Sequence, residues 1–252
     1  MAGILITGAA SGIGAGLALE LARAGHHVIV SDLRLPDCEQ VAARIRDGGG
    51  SADAVALDVT SEASITSALA SLRRPVEVLV NDAGLQHVAP LEEFPMNKWD
   101  YLIQVMLIGS ARLTRALLPG MRARGYGRIV NIGSIHSLVA SPNKSAYVAA
   151  KHGLLGLTKT IALETAGADI TINTICPSYV KTPLVDKQIG DQARTRGIAE
   201  SEVIKEIMLK PMPKGVFIGI DELAGITGFL LTPAARNITG QAIVVDGGWT
   251  SQ

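Results

Sequence analysis

The fold of this chain is decided near its beginning, where Gly3–Gly14 reads GILITGAASGIG. The first residues form an apolar run of strand length, and the glycines at 8, 12 and 14 open the helical pattern that follows. Glycines there let the backbone turn tightly and approach a pyrophosphate at a helix N-terminus. Because glycines also serve ordinary tight turns, this stretch predicts a dinucleotide site only if the rest of the chain agrees.

Apolar runs of strand length alternate with helical patterns along nearly the whole 252-residue chain. Most runs are continuously apolar, which is typical of strands covered on both faces. The sequence therefore predicts an α/β fold: one doubly wound (Rossmann) domain over residues 1–252, whose seven-stranded parallel sheet has helices on both faces. The predicted strands are Gly3–Thr7, His27–Ser31, Ala54–Asp58, Val76–Asn81, Arg128–Gly133, Ile170–Cys176 and Ala242–Val245, and the predicted helices are 12–25, 37–47, 61–73, 97–120, 145–166 and 221–232.

One segment, residues 182–219, interrupts the alternation. It has no clear strand, and its charged helical pattern is punctuated by Pro211 and Pro213. An insertion of this length after the sixth strand is expected to form a helical lid over a substrate. The pattern fits an ordinary pair of surface helices equally well.

The composition argues against several classes of protein. Lys and Arg together number 23, as do Asp and Glu, so no overall field attracts nucleic acid or a membrane surface. Cys38 and Cys176 lie outside any CxxC or Cys/His cluster, which argues against disulfides or a metal site and favours the cytoplasm. The sequence has neither a cleavable leader pattern nor an uncharged apolar run of about 20 residues, so we expect a soluble protein.

Polar side chains end the next strands of the predicted sheet, where ligands of doubly wound folds bind. Asp32 ends the second strand. Its carboxylate can accept hydrogen bonds from an adenosine ribose and repels a 2′-phosphate, so NAD is favoured over NADP, with Arg34 as a counter-signal. Asp58 and Val59 follow the third strand, near the expected adenine. NDAG (Asn81–Gly84) follows the fourth, near the adenine ribose.

A second cluster surrounds a tyrosine in PNKSAYVAAKHG (Pro142–Gly153). Lys144 precedes Tyr147 by three residues and Lys151 follows it by four, spacings that bring both lysines near the face of the tyrosine on a helix. Either both are solvated surface charges, or the two lysines have separate tasks.

These motifs together resemble the short-chain dehydrogenase/reductase family, from Thr7 to the terminal DGGW (Asp246–Trp249). The resemblance implies an NAD-dependent oxidoreductase whose catalytic residues are Ser134, Tyr147 and Lys151, with Ser134 thirteen residues before the tyrosine. The expected cofactor-binding residues are Gly8, Ser11, Gly12, Ile13, Gly14, Asp32, Leu33, Asp58, Val59, Asn81, Ala83, Gly84, Tyr147, Lys151, Pro177, Val180 and Thr182.

Further segments, among them GLQHVAPLEEFP (84–95) and KTPLVDKQI (181–189), resemble the NAD-dependent D-3-hydroxybutyrate dehydrogenases within that family. The resemblance implies the reaction (R)-3-hydroxybutyrate + NAD⁺ = acetoacetate + NADH + H⁺. A hydroxy acid bound by a neutral protein needs a local cation and several hydrogen-bond donors for its carboxylate. The expected substrate-binding residues are Gln86, Ser134, His136, Lys144, Tyr147, Tyr179, Gln188 and Trp249, and no metal is expected.

The resemblance also gives the two lysines separate tasks. An ordinary phenol has a pKa near ~10, and Lys151 with the positive nicotinamide is expected to lower that of Tyr147 by ~3 units. Tyr147 then removes the hydroxyl proton while hydride moves to NAD, and Ser134 donates a hydrogen bond to the reacting oxygen. Lys144 is left to pair with the substrate carboxylate.

Two positions depart from the pattern of the family. Its usual asparagine, forty-one residues before the tyrosine, is Met106 here, and methionine cannot donate a hydrogen bond. Either the carbonyl of residue 106 holds the water of the proton relay, or the relay is broken and catalysis is slow. In PSYV (Pro177–Val180), Tyr179 stands where the hydroxybutyrate group more often has tryptophan, which favours a slightly longer or more polar acid.

Two other functions stay open. One is a dehydrogenase or reductase for an uncharged substrate (a 3-oxoacyl thioester, sugar or cyclic alcohol), although such a substrate has no use for Lys144. The other, prompted by Met106, is a catalytically weak NAD-binding regulator. The family resemblance also implies a homotetramer joined through helices 97–120 and 145–166, unless the apolar faces of these helices are fully used by their own sheet.

Overall fold

The computed structural model describes residues 2–251, without the side chains at 184, 187, 191 and 195. Within this range seven parallel strands form one sheet, so the predicted architecture is confirmed. The strands are β1 (Gly3–Thr7), β2 (His27–Asp32), β3 (Ser51–Ala56), β4 (Val78–Asn81), β5 (Tyr126–Ile132), β6 (Asp169–Pro177) and β7 (Ala242–Val245). Their order across the sheet is β3-β2-β1-β4-β5-β6-β7.

Helices cover both faces of this sheet. The helices are α1 (Gly12–Arg23), α2 (Leu35–Asp47), α3 (Glu62–Ser71), α4 (Met96–Ile103), α5 (Gly109–Arg124), α6 (Ser145–Glu164), α7 (Pro183–Arg196), α8 (Glu200–Glu202) and α9 (Ile220–Leu230). Strand β1 shows why its sequence is apolar throughout: Ile4 and Ile6 pack into the core under α1, whereas Leu5 packs into the opposite core under α5. All three side chains are fully buried.

The order of the strands places a crevice at the carboxyl end of β1. Strand β1 pairs with β2 on one side and β4 on the other, so the chain leaves β1 in one direction and returns on its other side. In open parallel sheets the loops diverge at such a switch point and leave room for a ligand. The glycine-rich turn, Asp32 and NDAG all lie at this edge.

Two elements differ from the prediction. Strand β3 was predicted at Ala54–Asp58 and is found at Ser51–Ala56, because it is an edge strand whose alternating SADAVA sequence leaves one face half-exposed. The helix predicted over 97–120 spans α4 and α5 but is widened between them into a π-helical segment, Gln104–Ile108. The hydroxyl of Ser110 donates to the carbonyl of Met106 (2.9 Å) where this segment meets α5.

The insertion at 182–219 is helical, as expected, and contains α7, α8 and a second π-helical segment, Val203–Leu209. It has a small core of its own, which includes Val185, Ile189 and Met208. A parallel bridge between Val180 and Ile218 closes its base. The insertion is therefore a packed unit whose two ends are held together by this bridge.

One helical stretch, Met96–Arg124, is long and apolar enough to cross a bilayer by length and composition. In the fold it packs against β5 and α6. Core helices of soluble proteins pass the same test of length and composition.

Candidate active site

The glycine-rich turn is built so that backbone lies open to a ligand. Gly8 and Gly12 have φ of +67° and +58°, a region that side chains rarely adopt. A Cβ on Gly14 would lie 2.7 Å from the carbonyl oxygen of Gly8, so no side chain fits there. No heavy atom lies within 4 Å of the position that a Cβ on Gly12 would take, so the space beside this residue is open. This is the cradle that a pyrophosphate needs at the start of α1.

Asp32 is held in place at the end of β2. Its Oδ2 accepts a hydrogen bond from the amide of Ala10 (3.2 Å) and its Oδ1 accepts one from the amide of Leu33 (2.7 Å). The carboxylate keeps lone pairs for further donors. Arg34, the counter-signal, turns away and forms an ion pair with Asp37 (3.4 Å).

A cavity of about 530 Å³ runs along the carboxyl edge of the sheet. Its size and shape suit a dinucleotide, and both ends of the predicted cofactor site open into it. Of the expected cofactor-binding residues, the cavity is lined by Gly8, Ser11, Gly12, Ile13, Asp32, Leu33, Asp58, Val59, Ala83, Gly84, Tyr147, Lys151 and Thr182.

Four of the expected cofactor residues do not line the larger cavity, and a residue outside that set does. Gly14 lies beneath the turn, and Pro177 and Val180 line a neighbouring, smaller cavity. Asn81 lines neither cavity, because its side chain is buried and donates to the Oδ1 of Asn131 (2.8 Å) between β4 and β5. Asp82, which the sequence reasoning quoted only as part of NDAG, lines the larger cavity.

The expected catalytic residues meet where the two cavities join. Helix α6 presents Tyr147 and Lys151 one turn apart, and Ser134 follows β5. Lys151 is buried, and its Nζ donates to the carbonyl oxygen of Ile132 (2.6 Å) while lying 5.6 Å from the centre of the Tyr147 ring. Ser134 accepts a hydrogen bond from the amide of His136 (3.2 Å), which fixes its hydroxyl at the same point.

The electrostatics of this centre differ from the expectation. Burial raises the pKa of Tyr147, and a hydrogen bond with Ser134 opposes the rise. Burial also lowers the pKa of Lys151, which the negative charge of Asp82 opposes. In the chain alone the pKa of the tyrosine is therefore not lowered, because burial outweighs the stabilisation of the phenolate. A further positive charge in the larger cavity is needed for that.

The smaller cavity, of about 150 Å³, brings the expected substrate residues together. They come from six elements: the loop after β4, the loop between β5 and α6, helix α6, the loop after β6, helix α7 and the C-terminal turn. Every expected member lines this cavity: Gln86, Ser134, His136, Lys144, Tyr147, Tyr179, Gln188 and Trp249.

Lys144 and His136 form the polar end of this cavity. The Nζ of Lys144 lies 3.4 Å from the Nε2 of His136. Because an ammonium group can only donate, Nε2 is the acceptor and the ring proton is assigned to Nδ1. Burial, and then the charge of Lys144, lower the pKa of His136 to about 4. At neutral pH this imidazole is therefore an uncharged donor.

This end of the cavity has one cation without a carboxylate partner among the described residues, and two buried polar atoms without a hydrogen-bond partner. Burial lowers the pKa of Lys144, and among the described residues no carboxylate lies within 4.0 Å of its Nζ. The Nδ1 of His136 and the Oε1 of Gln86 are buried without a hydrogen-bond partner in the described chain. Buried polar groups are normally paired, so this end of the cavity is arranged for a polar ligand.

The opposite wall is aromatic. The rings of Tyr179 and Trp249 stack with centroids 6.0 Å apart, and the edge of His136 meets Trp249 at 6.2 Å. His136 also contacts the ring of Tyr147 edge to face at 6.1 Å. This row of rings runs from the wall to the tyrosine and limits the length of a bound molecule.

Met106, the position that departs from the pattern, is buried beneath the turn at Gly84. Its sulfur and Cγ lie 3.6 Å from where a Cβ on Gly84 would be. Its carbonyl accepts the hydroxyl of Ser110, so any relay water would share this oxygen with that hydroxyl.

Comparison with known proteins agrees with this geometry. The family model for short chain dehydrogenases matches residues 2–193. The chain is 45% identical to a D-beta-hydroxybutyrate dehydrogenase of Rhizobium meliloti (strain 1021), with 98% of each chain covered. It is 42% identical to a protein of the same name from Cupriavidus necator, with 98% of this chain and 97% of that protein covered.

A solved structure extends the match to the whole fold. The gluconate 5-dehydrogenase of Burkholderia cenocepacia J2315, in complex with NADP and tartrate, superposes with a TM-score of 0.90 and is 34% identical. The alignment covers 100% of this chain and 96% of that one. With its fold, its cofactor cradle and its Ser134, Tyr147 and Lys151 all in place, the chain is an oxidoreductase that belongs to the short chain dehydrogenase family.

Proposed function

We propose that this enzyme oxidises D-3-hydroxybutyrate, or a closely similar 3-hydroxy acid, to the 3-keto acid with NAD. The observation that carries the proposal is Lys144: a half-buried cation without a carboxylate partner in the described chain, in the same cavity as Tyr147. An uncharged alcohol, thioester or sugar leaves that cation unpaired, and an unpaired buried charge is costly. The names of two relatives support the same substrate.

The size of the cavity supports a small acid. At about 150 Å³ it is well below the roughly 300–1,000 Å³ of sites for drug-sized ligands. The carboxylate would lie at Lys144, His136 and Gln86, and Gln188 would approach it from helix α7. The hydroxyl carbon would then face Ser134 and Tyr147.

NAD is proposed over NADP because of Asp32. A carboxylate at the end of β2 would repel a 2′-phosphate on the adenosine ribose, and Arg34, the cation near it in sequence, is already paired with Asp37. The related gluconate 5-dehydrogenase is described in complex with NADP, so the family itself does not decide between the two cofactors.

Tyr147, Ser134 and Lys151 have different roles in the proposed reaction. A bound nicotinamide dinucleotide supplies the hydride acceptor and a positive ring. Tyr147 accepts the proton of the substrate hydroxyl, and Ser134 donates a hydrogen bond to the oxygen on which charge develops. Lys151 supplies a fixed positive charge one helical turn away. In the reverse direction Tyr147 returns the proton to the ketone oxygen.

The first experiment compares D-3-hydroxybutyrate, its L-enantiomer and the neutral methyl ester of the D-acid as substrates for NADH formation. We expect turnover of the D-acid alone, at a rate that also excludes a catalytically weak regulator. Good turnover of the ester with none of the acid would keep the family and overturn the substrate.

A variant pair then tests Lys144 itself. Replacing Lys144→Met is expected to lower kcat/KM for the acid by ~100-fold, the effect of losing a charge-assisted hydrogen bond. The control, Lys159→Met, removes an exposed lysine of helix α6, which begins directly after Lys144, and is expected to change little. If both variants oxidise the acid as the wild type does, the carboxylate is bound elsewhere.

We also propose a cytoplasmic homotetramer. Leu163 on α6 is 80% exposed, so the apolar residues of the helices expected at the interface are not all used by their own sheet. Sedimentation of the purified enzyme tests this assembly. A monomer across the micromolar range would contradict it.

A further inference from the structure

The C-terminal turn carries Trp249 into the smaller cavity, and a single carboxylate holds that turn closed. Strand β7 ends at Val245, and Asp246 is buried directly after it. The Oδ1 of Asp246 accepts a hydrogen bond from the amide of Gly248 (2.8 Å). Its Oδ2 accepts two more, from the amide and the hydroxyl of Thr250 (2.7 Å each). The three bonds therefore bracket Trp249, which lies between the two donor residues.

The turn needs such bonds because two glycines form its centre. Gly247 and Gly248 have φ of +62° and +92°. Glycine loses more conformational freedom on folding than any other residue, so a turn built on two of them has to be held by other contacts. Burial raises the pKa of Asp246, and its hydrogen bonds with Thr250 and Gly248 lower that pKa by more, to below its ordinary value. At neutral pH the three bonds are therefore charge-assisted, which makes them stronger than bonds between neutral groups.

The same turn lies between the helical insertion and the aromatic wall of the smaller cavity. On one side the carbonyl of Gly247 accepts a hydrogen bond from the amide of Lys214 (3.0 Å), near the end of the insertion. On the other side the ring of Trp249 stacks on Tyr179 (6.0 Å between centroids) and meets His136 (6.2 Å). The position of this ring in the wall therefore depends on the shape of the turn.

We propose that Asp246 is a positioning residue that limits the length of the acid substrate, because it keeps the ring of Trp249 in the smaller cavity. The cavity has a volume of only about 150 Å³, so the place of one indole ring decides how much of it is free. When the turn is released the ring leaves the wall, and 3-hydroxy acids with longer alkyl chains fit. The length limit rests on the proposed function, whereas the placement of Trp249 by Asp246 does not.

The first test needs no substrate. The chain has two tryptophans, so Trp99→Phe leaves Trp249 as the only one. In that background we expect Asp246→Asn, which leaves too few acceptors for the three donors, to shift the fluorescence emission to the red and to increase its quenching by acrylamide. Asp47→Asn, at the exposed end of α2, should change neither. Emission and quenching that Asp246→Asn leaves unchanged would overturn the inference, whatever the substrate is.

A milder variant keeps this test decisive if Asp246→Asn fails to fold. Thr250→Val removes only the hydroxyl bond and leaves the carboxylate and both amide bonds in place. It should move emission and quenching in the same direction by a smaller amount. The absence of any such change would contradict the role of these bonds.

The second test compares kcat/KM for D-3-hydroxypentanoate with that for D-3-hydroxybutyrate. One methylene in a fitted pocket is worth ~10-fold, so we expect the ratio to rise by ~10-fold in Asp246→Asn, and likewise in Trp249→Ala, which removes the ring itself. A merely structural role would lower both rates alike, and an unchanged ratio, or a wild type that oxidises both acids equally well, would overturn the length limit. If the wild type oxidises neither acid, the proposed function fails, while the emission test still decides whether Asp246 places Trp249.

Discussion

The two cavities of this active site are built from different parts of the chain. The larger one is shaped mainly by backbone: glycines that no side chain could replace and strand ends whose polar groups are held by neighbouring amides. The smaller one is shaped by side chains that six separate elements bring together. Backbone shape is encoded locally, whereas a meeting of distant side chains depends on the whole fold. The larger and the smaller cavity should therefore respond differently to substitution.

The largest effect is expected where backbone shape is broken. In Gly14→Ala the new Cβ would lie 2.7 Å from the carbonyl oxygen of Gly8 and 2.8 Å from the Oδ2 of Asp82, so the turn must shift. Overpacking of this kind costs about 1–3 kcal/mol, and we expect the affinity for NADH to fall by up to ~100-fold in calorimetric titration.

A matched control tests whether the loss of affinity comes from the glycine-rich turn or would follow from replacing any glycine. Gly156 lies on α6 with nothing within 4 Å of its Cβ position, and Gly156→Ala should bind NADH as the wild type does. Equal NADH affinity in Gly14→Ala and the wild type would show that the cradle is more tolerant than its geometry indicates.

The next effect concerns Asp32, whose side chain lines the larger cavity. Replacing Asp32→Asn keeps the shape and removes the charge, so a 2′-phosphate is no longer repelled. Like charges brought together cost several kcal/mol, and we expect the NAD:NADP ratio of kcat/KM to fall by ~10–100-fold. Steady-state kinetics with both cofactors measure it. Glu39→Gln removes a charge from the exposed face of α2 and should leave the ratio unchanged; a similar fall there would make the preference a matter of net charge alone.

These differences explain how far the sequence could be interpreted. The turn at Gly8–Gly14 and the carboxylate of Asp32 could be placed without a structure because their geometry follows from adjacent residues. Lys144 and Gln188 could be grouped only through the family resemblance, since nothing in their local sequence links a loop to a distant helix. The π-helical widening at Met106 has no signal in composition or spacing.

Asp82 shows the opposite case, a residue visible in the sequence whose ionisation depends on its surroundings in the fold. NDAG contains one carboxylate, and only the fold brings it near the buried Lys151. Similarly, the burial that raises the pKa of Tyr147 in the chain alone could not be read from the spacing of Tyr147 and Lys151. Charge balance in a crevice is a property of the folded chain.

The smallest effect is expected in the smaller cavity, where His136 should make the stability of the protein depend on pH. Burial and the charge of Lys144 hold the pKa of His136 at about 4, below its unfolded value near ~6.5. Between these values the unfolded state binds more protons, so the free energy of unfolding falls as the pH falls from about 6.5 to about 4. The side chain is buried but lines a cavity that solvent can enter in the free enzyme, so we expect a loss of about 1 kcal/mol from this residue. Urea unfolding at several pH values should show it in the wild type and not in His136→Gln. Lys144→Met, which removes one of the two causes, should give an intermediate slope; equal slopes in all three proteins would mean that the histidine is free to take up a proton in the fold.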